Sequence, residues 1–142
     1  MNDLIRKAYE IAQAAHAHQV DKSGKPYIGH IERVAARCWS DEAKCVAYLH
    51  DVLEDTDALP EVEMRRIFGD RITDGVLSVT RRDGEDYAAF VRRAGENPLG
   101  REVKISDLID NSNLSRFERE ITLEDVQRQR KYNDALMELL SM

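Results

Sequence analysis

The chain is expected to fold as an all-α bundle of about seven to eight helices, and three features of its 142 residues carry that expectation. Apolar residues recur every three or four positions through most of the chain. Capping residues and Gly or Pro breaks separate those periodic stretches. Apolar and polar residues nowhere alternate long enough to suggest a half-buried strand. No internal repeat or low-complexity segment appears, and residues 1–142 amount to a single domain, long enough to bury a core without disulfides.

Taken in order, residues 2–18 carry Leu4, Ile5, Ala8, Ile11, Ala12 and Ala15 at helical spacing, with Asn2 or Asp3 as cap. His16 and His18 close this helix, where a cation interacts favourably with the C-terminal dipole. Asp21 to Pro26 form a loop punctuated by Gly24 and Pro26 and made positive by Lys22 and Lys25. A second helix runs from Tyr27 to about Trp39, burying Ile31, Val34, Ala35 and Cys38, with His30 in its first turn. A third spans Asp41 to about Leu53. A short helix then reaches Phe68 and ends at Gly69, a position suited to left-handed backbone. Asp70 caps the next, whose Ile72, Val76 and Val79 repeat ends near Thr80. Arg81 and Arg82 follow as a basic pair, ordinarily solvated surface but a candidate for phosphate contact. Helices over residues 85–94, 99–117 and 122–140 complete the chain, the last with Val126, Tyr132, Leu136, Leu139 and Leu140 on one face.

Composition narrows the function classes. The net charge of −6 is shared evenly between the two halves, so no basic stripe marks a nucleic-acid binder. No segment approaches the roughly 18 apolar residues of a membrane span, and the N-terminus lacks a signal-peptide pattern. The two cysteines, Cys38 and Cys45, lie in apolar helical contexts and read as buried thiols of a cytoplasmic protein. These features specify no oligomeric state.

Chemistry concentrates in His50-Asp51-Val52-Leu53-Glu54-Asp55-Thr56. Val46, Leu49, Val52 and Leu53 form an apolar stripe, and His50 with Glu54, and Asp51 with Asp55, line up beside it four residues apart. Three neighbouring carboxylates raise one another's pKa unless a cation compensates, so a divalent metal accounts for them economically. A solvated acidic helix end is the plain alternative. Asp107 lies within the apolar run Val103, Ile105, Leu108, Ile109, where an unpaired carboxylate costs several kcal/mol, so it too needs a cation. Asp110, three residues on, is expected to be solvated. His30, His50, Asp51 and Asp107 together offer two nitrogen and two hard oxygen ligands from three helices. That mixture suits six-coordinate Mn²⁺ or Fe²⁺ with open positions better than structural zinc.

The order His30, His50-Asp51, Asp107 resembles the HD-domain superfamily of metal-dependent phosphohydrolases. The segments AHAHQVDKSGKPYIGHIERVA, YLHDVLEDT, FGDRITDGVLSVT and VKISDLIDN narrow the resemblance to the ppGpp hydrolase domain of RelA/SpoT-type enzymes and their small stand-alone relatives. The similarity covers roughly residues 5–115. It implies an HD-domain helical bundle in which His30, His50, Asp51 and Asp107 bind one Mn²⁺. It implies that Glu54 and Asp55 help activate the hydrolytic water, and that Lys22, Ser23 and Asn111 contact the nucleotide. The implied reaction is hydrolysis of the 3′-pyrophosphate of ppGpp or a closely related nucleotide, a small-molecule substrate. Two positions depart from the family pattern. Asp21 stands where an arginine usually packs against the guanine base, and Leu108 stands where a basic residue follows the metal aspartate. An anion cannot stack on a purine as a guanidinium does, so weaker base discrimination is expected, with Asp21→Arg lowering KM. The rival readings are an HD phosphohydrolase for a different nucleotide or phosphate ester, and a non-catalytic metal-binding helical module.

Overall fold

The structure, a computed structural model, describes residues 2–142, and of residue 55 the backbone alone. Helix α1 (Asp3–Ala15) begins where the Asn2 side chain accepts the Ile5 N–H. α2 (Tyr27–Ala36) follows Pro26, and α3 (Asp41–Leu49) is capped by Ser40 accepting from the Ala43 N–H. α4 (Val52–Asp55) is a single turn, and α5 (Glu61–Ser78) follows Pro60. Asp86 caps α6 (Tyr87–Glu96), and Asn97 caps α7 (Pro98–Asn111), which starts on a proline whose missing N–H costs nothing in the first turn. A 3₁₀ turn (Leu114–Arg116) leads to α8 (Leu123–Leu140), which opens with a reciprocal capping box between Thr122 and Asp125. The fold is all-α. An isolated bridge between Val20 and Pro26 is the only β pairing among the described residues.

Several boundaries differ from the sequence reading. α1 stops at Ala15 with His16 as its C-cap, and α2 stops at Ala36, leaving Trp39 93% exposed in the connection to α3. The helices expected on either side of Gly69 form one span with a kink at that glycine. Its φ of 84° is positive as anticipated, but its ψ of 173° is extended, so the chain turns and resumes its helix. The helix expected over residues 41–53 breaks after Leu49. At the break, His50 Nδ1 lies 2.6 Å from the Ala47 carbonyl, the acceptor that an uninterrupted helix would offer to the Asp51 N–H. A side chain thus competes with the backbone ladder at the point where the chemistry-bearing residues begin.

α3 is the central helix, enclosed by α1, α2, α5 and α7. Its Val46 and Leu49, with Val52 beyond the break, are fully buried, each contributing roughly 1.5–3 kcal/mol of apolar burial. α7 packs against α2, α3, α5, α6 and α8. Close approach of α5 to both helices depends on Gly75, where an added Cβ would lie 2.9 Å from Val46 Cγ2 and 3.3 Å from Leu99 Cβ. A smaller cluster of Val91, Leu108, Ala135 and Leu139 joins α6, α7 and α8. Cys38 and Cys45 are buried and unbridged, and burial pushes their thiol pKa values up to about 12 and about 11. The inner face of α8 is rotated from the expected one: Asp125, Ala135 and Leu139 are buried, while Val126 and Leu140 are exposed. No described helix is long and apolar enough to cross a membrane.

Candidate functional site

His30 stands in the first turn of α2, His50 immediately after α3, and Asp107 midway along α7. Packing of these helices brings ligand atoms of the three buried residues within 4.8 Å of one another. Asp51 adjoins the group, with Oδ2 3.1 Å from His50 Nε2, and accepts a short hydrogen bond from the Tyr27 hydroxyl.

Each imidazole is oriented by its far nitrogen. His30 Nδ1 lies 2.7 Å from Asp110 Oδ2, so Nδ1 carries the donated proton and Nε2 turns to the cluster, 3.0 Å from Asp107 Oδ1. His50 Nδ1 donates to the Ala47 carbonyl. Its Nε2 is buried 3.1 Å from Asp51 Oδ2 and 3.6 Å from Asp107 Oδ1, yet is aligned for a hydrogen bond with neither. A buried nitrogen with its lone pair aimed at two carboxylates is the environment of a metal ligand. Burial opposes protonation of His50, but the charges of Asp51 and Asp107 prevail and raise its pKa well above the usual value. For His30 the opposition of burial is outweighed by hydrogen bonds to Asp107 and Asp110. The cluster therefore draws positive charge, as a cation-binding site must. Two imidazole nitrogens and carboxylate oxygens, with no thiolate, make a donor set that fits a borderline or hard divalent ion.

Two further groups set the field around Asp107. Lys104, one turn earlier on α7, places Nζ 3.1 Å from Asp107 Oδ2 and 4.8 Å from the Phe90 ring centre. Burial disfavours the Asp107 carboxylate, but Lys104 and the two imidazoles reverse that and hold its pKa well below the usual range. Asp110, expected to be solvated, is 1% exposed. It faces inward because it lies one helical turn beyond Asp107, and it binds His30, Arg33 and Arg37 as well as Arg116. Burial would raise its pKa, and those partners lower it.

Two cavities meet at this cluster, sharing walls of Tyr27, Asn111 and Tyr132. The larger, of about 360 Å³, is lined by Lys22, Ser23 and His30 on one side and by Arg116, Phe117 and Arg128 on the other. The smaller, of about 210 Å³, holds His50, Asp51, Glu54 and Asp107 together with the cations Arg81, Lys104 and Lys131. Those three cations surround the Tyr87 ring, with Lys131 Nζ 4.0 Å from its centre. Lys131 is held below its usual pKa by burial and by Arg81 and Lys104, as expected of a cation crowded by others.

The structure thus gathers His30, His50, Asp51, Asp107, Glu54 and Asn111 about one place and sets Lys22 and Ser23 on the adjoining cavity. Lys22 Nζ reaches the Tyr132 hydroxyl at 3.5 Å, and Asn111 Nδ2 donates to Asp107 Oδ1 at 3.3 Å. The Asp55 side chain lies outside the described residues. The basic pair divides: Arg81 lines the smaller cavity, while Arg82 is exposed and bonds through its backbone N–H to Glu85. His16 is buried at the end of α1, with Nδ1 2.7 Å from Gln19 Oε1. Sequence reasoning gave no role to Tyr27, Asp110, Lys104, Lys131 or Arg116. For Tyr27 and His30, and for Lys104, Asp107 and Asp110, three-residue spacing was the available signal.

The HD-domain family profile matches residues 8–101. Over 119 residues the chain is 35% identical to the guanosine-3′,5′-bis(diphosphate) 3′-pyrophosphohydrolase of Aquifex aeolicus, covering 75% of this chain and 17% of that protein. Over 85 residues it is 39% identical to the bifunctional (p)ppGpp synthase/hydrolase SpoT of Escherichia coli, covering 56% of this chain and 12% of that protein. The chain thus spans less than a fifth of the length of these curated relatives. A solved structure described as a metazoan ortholog of SpoT that hydrolyzes ppGpp superposes with a TM-score of 0.77 at 22% identity, over 99% of this chain and 86% of that one. The match over two thirds of the chain and the superposition over nearly all of it agree with the convergence of the HD pair with a histidine of α2 and an aspartate of α7: this chain belongs to the HD-domain family.

Proposed function

We propose that the chain is a metal-dependent phosphohydrolase that removes the 3′-pyrophosphate of guanosine 3′,5′-bis(diphosphate), with Mn²⁺ as its ion. The observation that carries this reading is the placement of a cation-seeking His and Asp cluster on the wall between two cavities rich in positive side chains. Similarity to proteins named for that reaction supports it.

His30, His50, Asp51 and Asp107 would hold the ion. When bound, a divalent cation supplies Lewis-acid polarisation of a phosphate oxygen and lowers the pKa of water. The chain's own groups do the rest. Glu54, on the smaller cavity beside Asp51, takes the proton of the attacking water, and Asp55 is its assigned partner. The water oxygen forms a bond to the phosphorus nearest the ribose, the bond from that phosphorus to the 3′ oxygen breaks, and the 3′ oxygen takes a proton. The products are GDP and pyrophosphate. Arg81, Lys104 and Lys131 meet the charge that builds on the departing group, in a site where cations are already fixed. Lys22, Ser23 and Asn111 hold the nucleotide, and we place the protein in the cytoplasm on the strength of its two free buried thiols.

A second reading, an HD phosphohydrolase for another nucleotide, draws on Asp21 in the lining of the larger cavity. Mn²⁺-loaded protein incubated with ppGpp and with a panel of nucleotides, followed by anion-exchange chromatography, decides between them. GDP with stoichiometric pyrophosphate is the expected outcome. Fully metal-loaded protein that leaves ppGpp intact ends the first reading.

A further inference from the structure

Asp21 has two oxygens with two different tasks. Oδ1 accepts from the Ser23 N–H at 2.9 Å, the Ser23 hydroxyl at 2.9 Å and the Lys25 N–H at 3.0 Å. These bonds tie residues 21–25 into a turn that presents Lys22 and Ser23 to the larger cavity. Oδ2 faces Arg116 Nη1 at 4.0 Å. Arg116 comes from the 3₁₀ turn after α7 and is anchored from behind. Its Nη2 donates to the Asp110 carbonyl at 2.8 Å, and its Nη1 is 3.4 Å from Asp110 Oδ2. Yet Nε and Nη1 are buried with no hydrogen-bond partner among the described residues. Buried donors left unpaired are destabilising, and because the Arg116 side chain lines the larger cavity, a small turn toward it would let a ligand acceptor meet them. Arg116 and Asp21 both line the larger cavity, where Phe117, Leu114 and Tyr132 add the flat apolar walls against which a ring packs.

We propose that Arg116 and Asp21 form a pair that reads the nucleobase, Arg116 donating to a ring carbonyl while Asp21 Oδ2 accepts from the neighbouring ring N–H and amino groups, so that the pocket selects guanine over adenine. The inference rests on the nucleotide reading above and deepens it. Guanine carries its 6-oxo acceptor beside the N1–H and 2-amino donors, which matches a guanidinium beside a carboxylate. Adenine carries a 6-amino donor beside an N1 lone pair, which opposes both. Arginine donating to guanine O6 and N7 is the commonest specific contact where proteins read guanine in DNA. On this account Asp21 supplies half of the base discrimination, and the expectation from sequence is reversed. An arginine at position 21 would face Arg116 and would remove the acceptor that shapes the loop.

The test compares GDP and ADP binding by calorimetry, and kcat/KM for ppGpp and its adenine counterpart, in metal-loaded wild type, Asp21→Asn, Arg116→Gln and Arg116→Lys. Asp21→Asn keeps an oxygen for the loop and exchanges the charge for an amide. Arg116→Lys keeps the charge beside Asp110 but loses the planar fork, and metal content in every variant reports on the His30 side. Wild type is expected to prefer guanine by about 10- to 100-fold, the scale of one well-made base contact. Each variant should lower that ratio about tenfold, through Kd and KM rather than kcat, with metal content unchanged. Equal binding of GDP and ADP by wild type, or a ratio that stays fixed in all three variants, overturns the proposal. Guanine-selective binding without turnover of either nucleotide would support the base reader and overturn the hydrolase reading. Equal turnover of both nucleotides would do the reverse.

Discussion

The cavity that holds the His and Asp cluster and the larger cavity beside it share Tyr27, Asn111 and Tyr132 but are assembled in opposite ways. The cluster takes its residues from α2, α7 and the end of α3, and a fixed partner orients each imidazole: Asp110 for His30 and the Ala47 carbonyl for His50. The larger cavity takes most of its remaining wall from a loop, a 3₁₀ turn and the first half of α8, and in it Asp21 and Arg116 stand 4.0 Å apart. Rigid elements hold the groups that must meet an ion, while irregular ones carry the groups that would recognise a particular ligand. The lesson is that chemistry and selectivity are separable here, and separability can be measured.

The largest effect should come from the ion itself. Chelation, or Asp107→Asn, is expected to abolish hydrolysis of ppGpp, with Mn²⁺ restoring it to the chelated wild type alone, while calorimetry still detects GDP in the pocket. Loss of GDP binding with the metal would show that the two regions are one. Next in size is Glu54→Gln, expected to lower kcat by about 10²- to 10⁴-fold, the usual contribution of a general base, at unchanged metal content and melting temperature. An unaltered kcat would remove Glu54 from the reaction.

Asp110→Ala sharpens the comparison from the side of the partners. Losing the acceptor of His30 Nδ1–H should weaken metal affinity about 10- to 100-fold, as read by competition with a chromogenic chelator. Unchanged affinity would mean that α2 alone orients the imidazole. The mildest effect belongs to acid. Asp125, at the start of α8 on the pocket side, is held below its usual pKa by Arg119 and the Thr122 N–H. A carboxylate so depressed contributes stability that is present above the unfolded pKa of about 4 and is lost as pH falls through the lower folded value. Hydrogen exchange at the first turn of α8 should therefore gain protection as pH rises from about 2 to about 4 and level off above that, read against the exchange rates of unstructured peptide. A flat protection factor would show that the capping box does not depend on the Asp125 charge.

What the sequence discloses follows the same division. His30, His50, Asp51 and Asp107 are legible because helical periodicity says which positions face inward, and an inward carboxylate or imidazole demands a reason. The same logic, carried three residues beyond Asp107, reaches Asp110, but an aspartate near a helix end is so often solvated that its enclosure by Arg33, Arg37 and Arg116 is visible only once α2 and the 3₁₀ turn are in place. The break after Leu49 is hidden because nothing in the residue order says that His50 will turn its ring to its own helix. Arg116 is hidden more deeply: it stands on an irregular segment without period, and its meeting with Asp21 spans most of the chain. Leu140 shows the converse error, an apolar residue placed by pattern on the inner face of α8, where Leu139 beside it is buried and Leu140 itself is exposed.

Gly75 lies between α3, which leads to His50, and α7, which carries Asp107. On one side is Val46, one turn before His50 on α3, and on the other is Leu99, two turns before Asp107 on α7. The missing methyl lets α5 close on both helices at once, much as a slim shim lets two jaws seat. Metal sites tolerate errors of only about half an ångström. Gly75→Ala would wedge a carbon in at 2.9 Å from Val46 Cγ2, and the displaced helices would carry their ligands with them. Metal affinity should then fall by more than the loss of folding stability explains, although position 75 offers no atom to the ion.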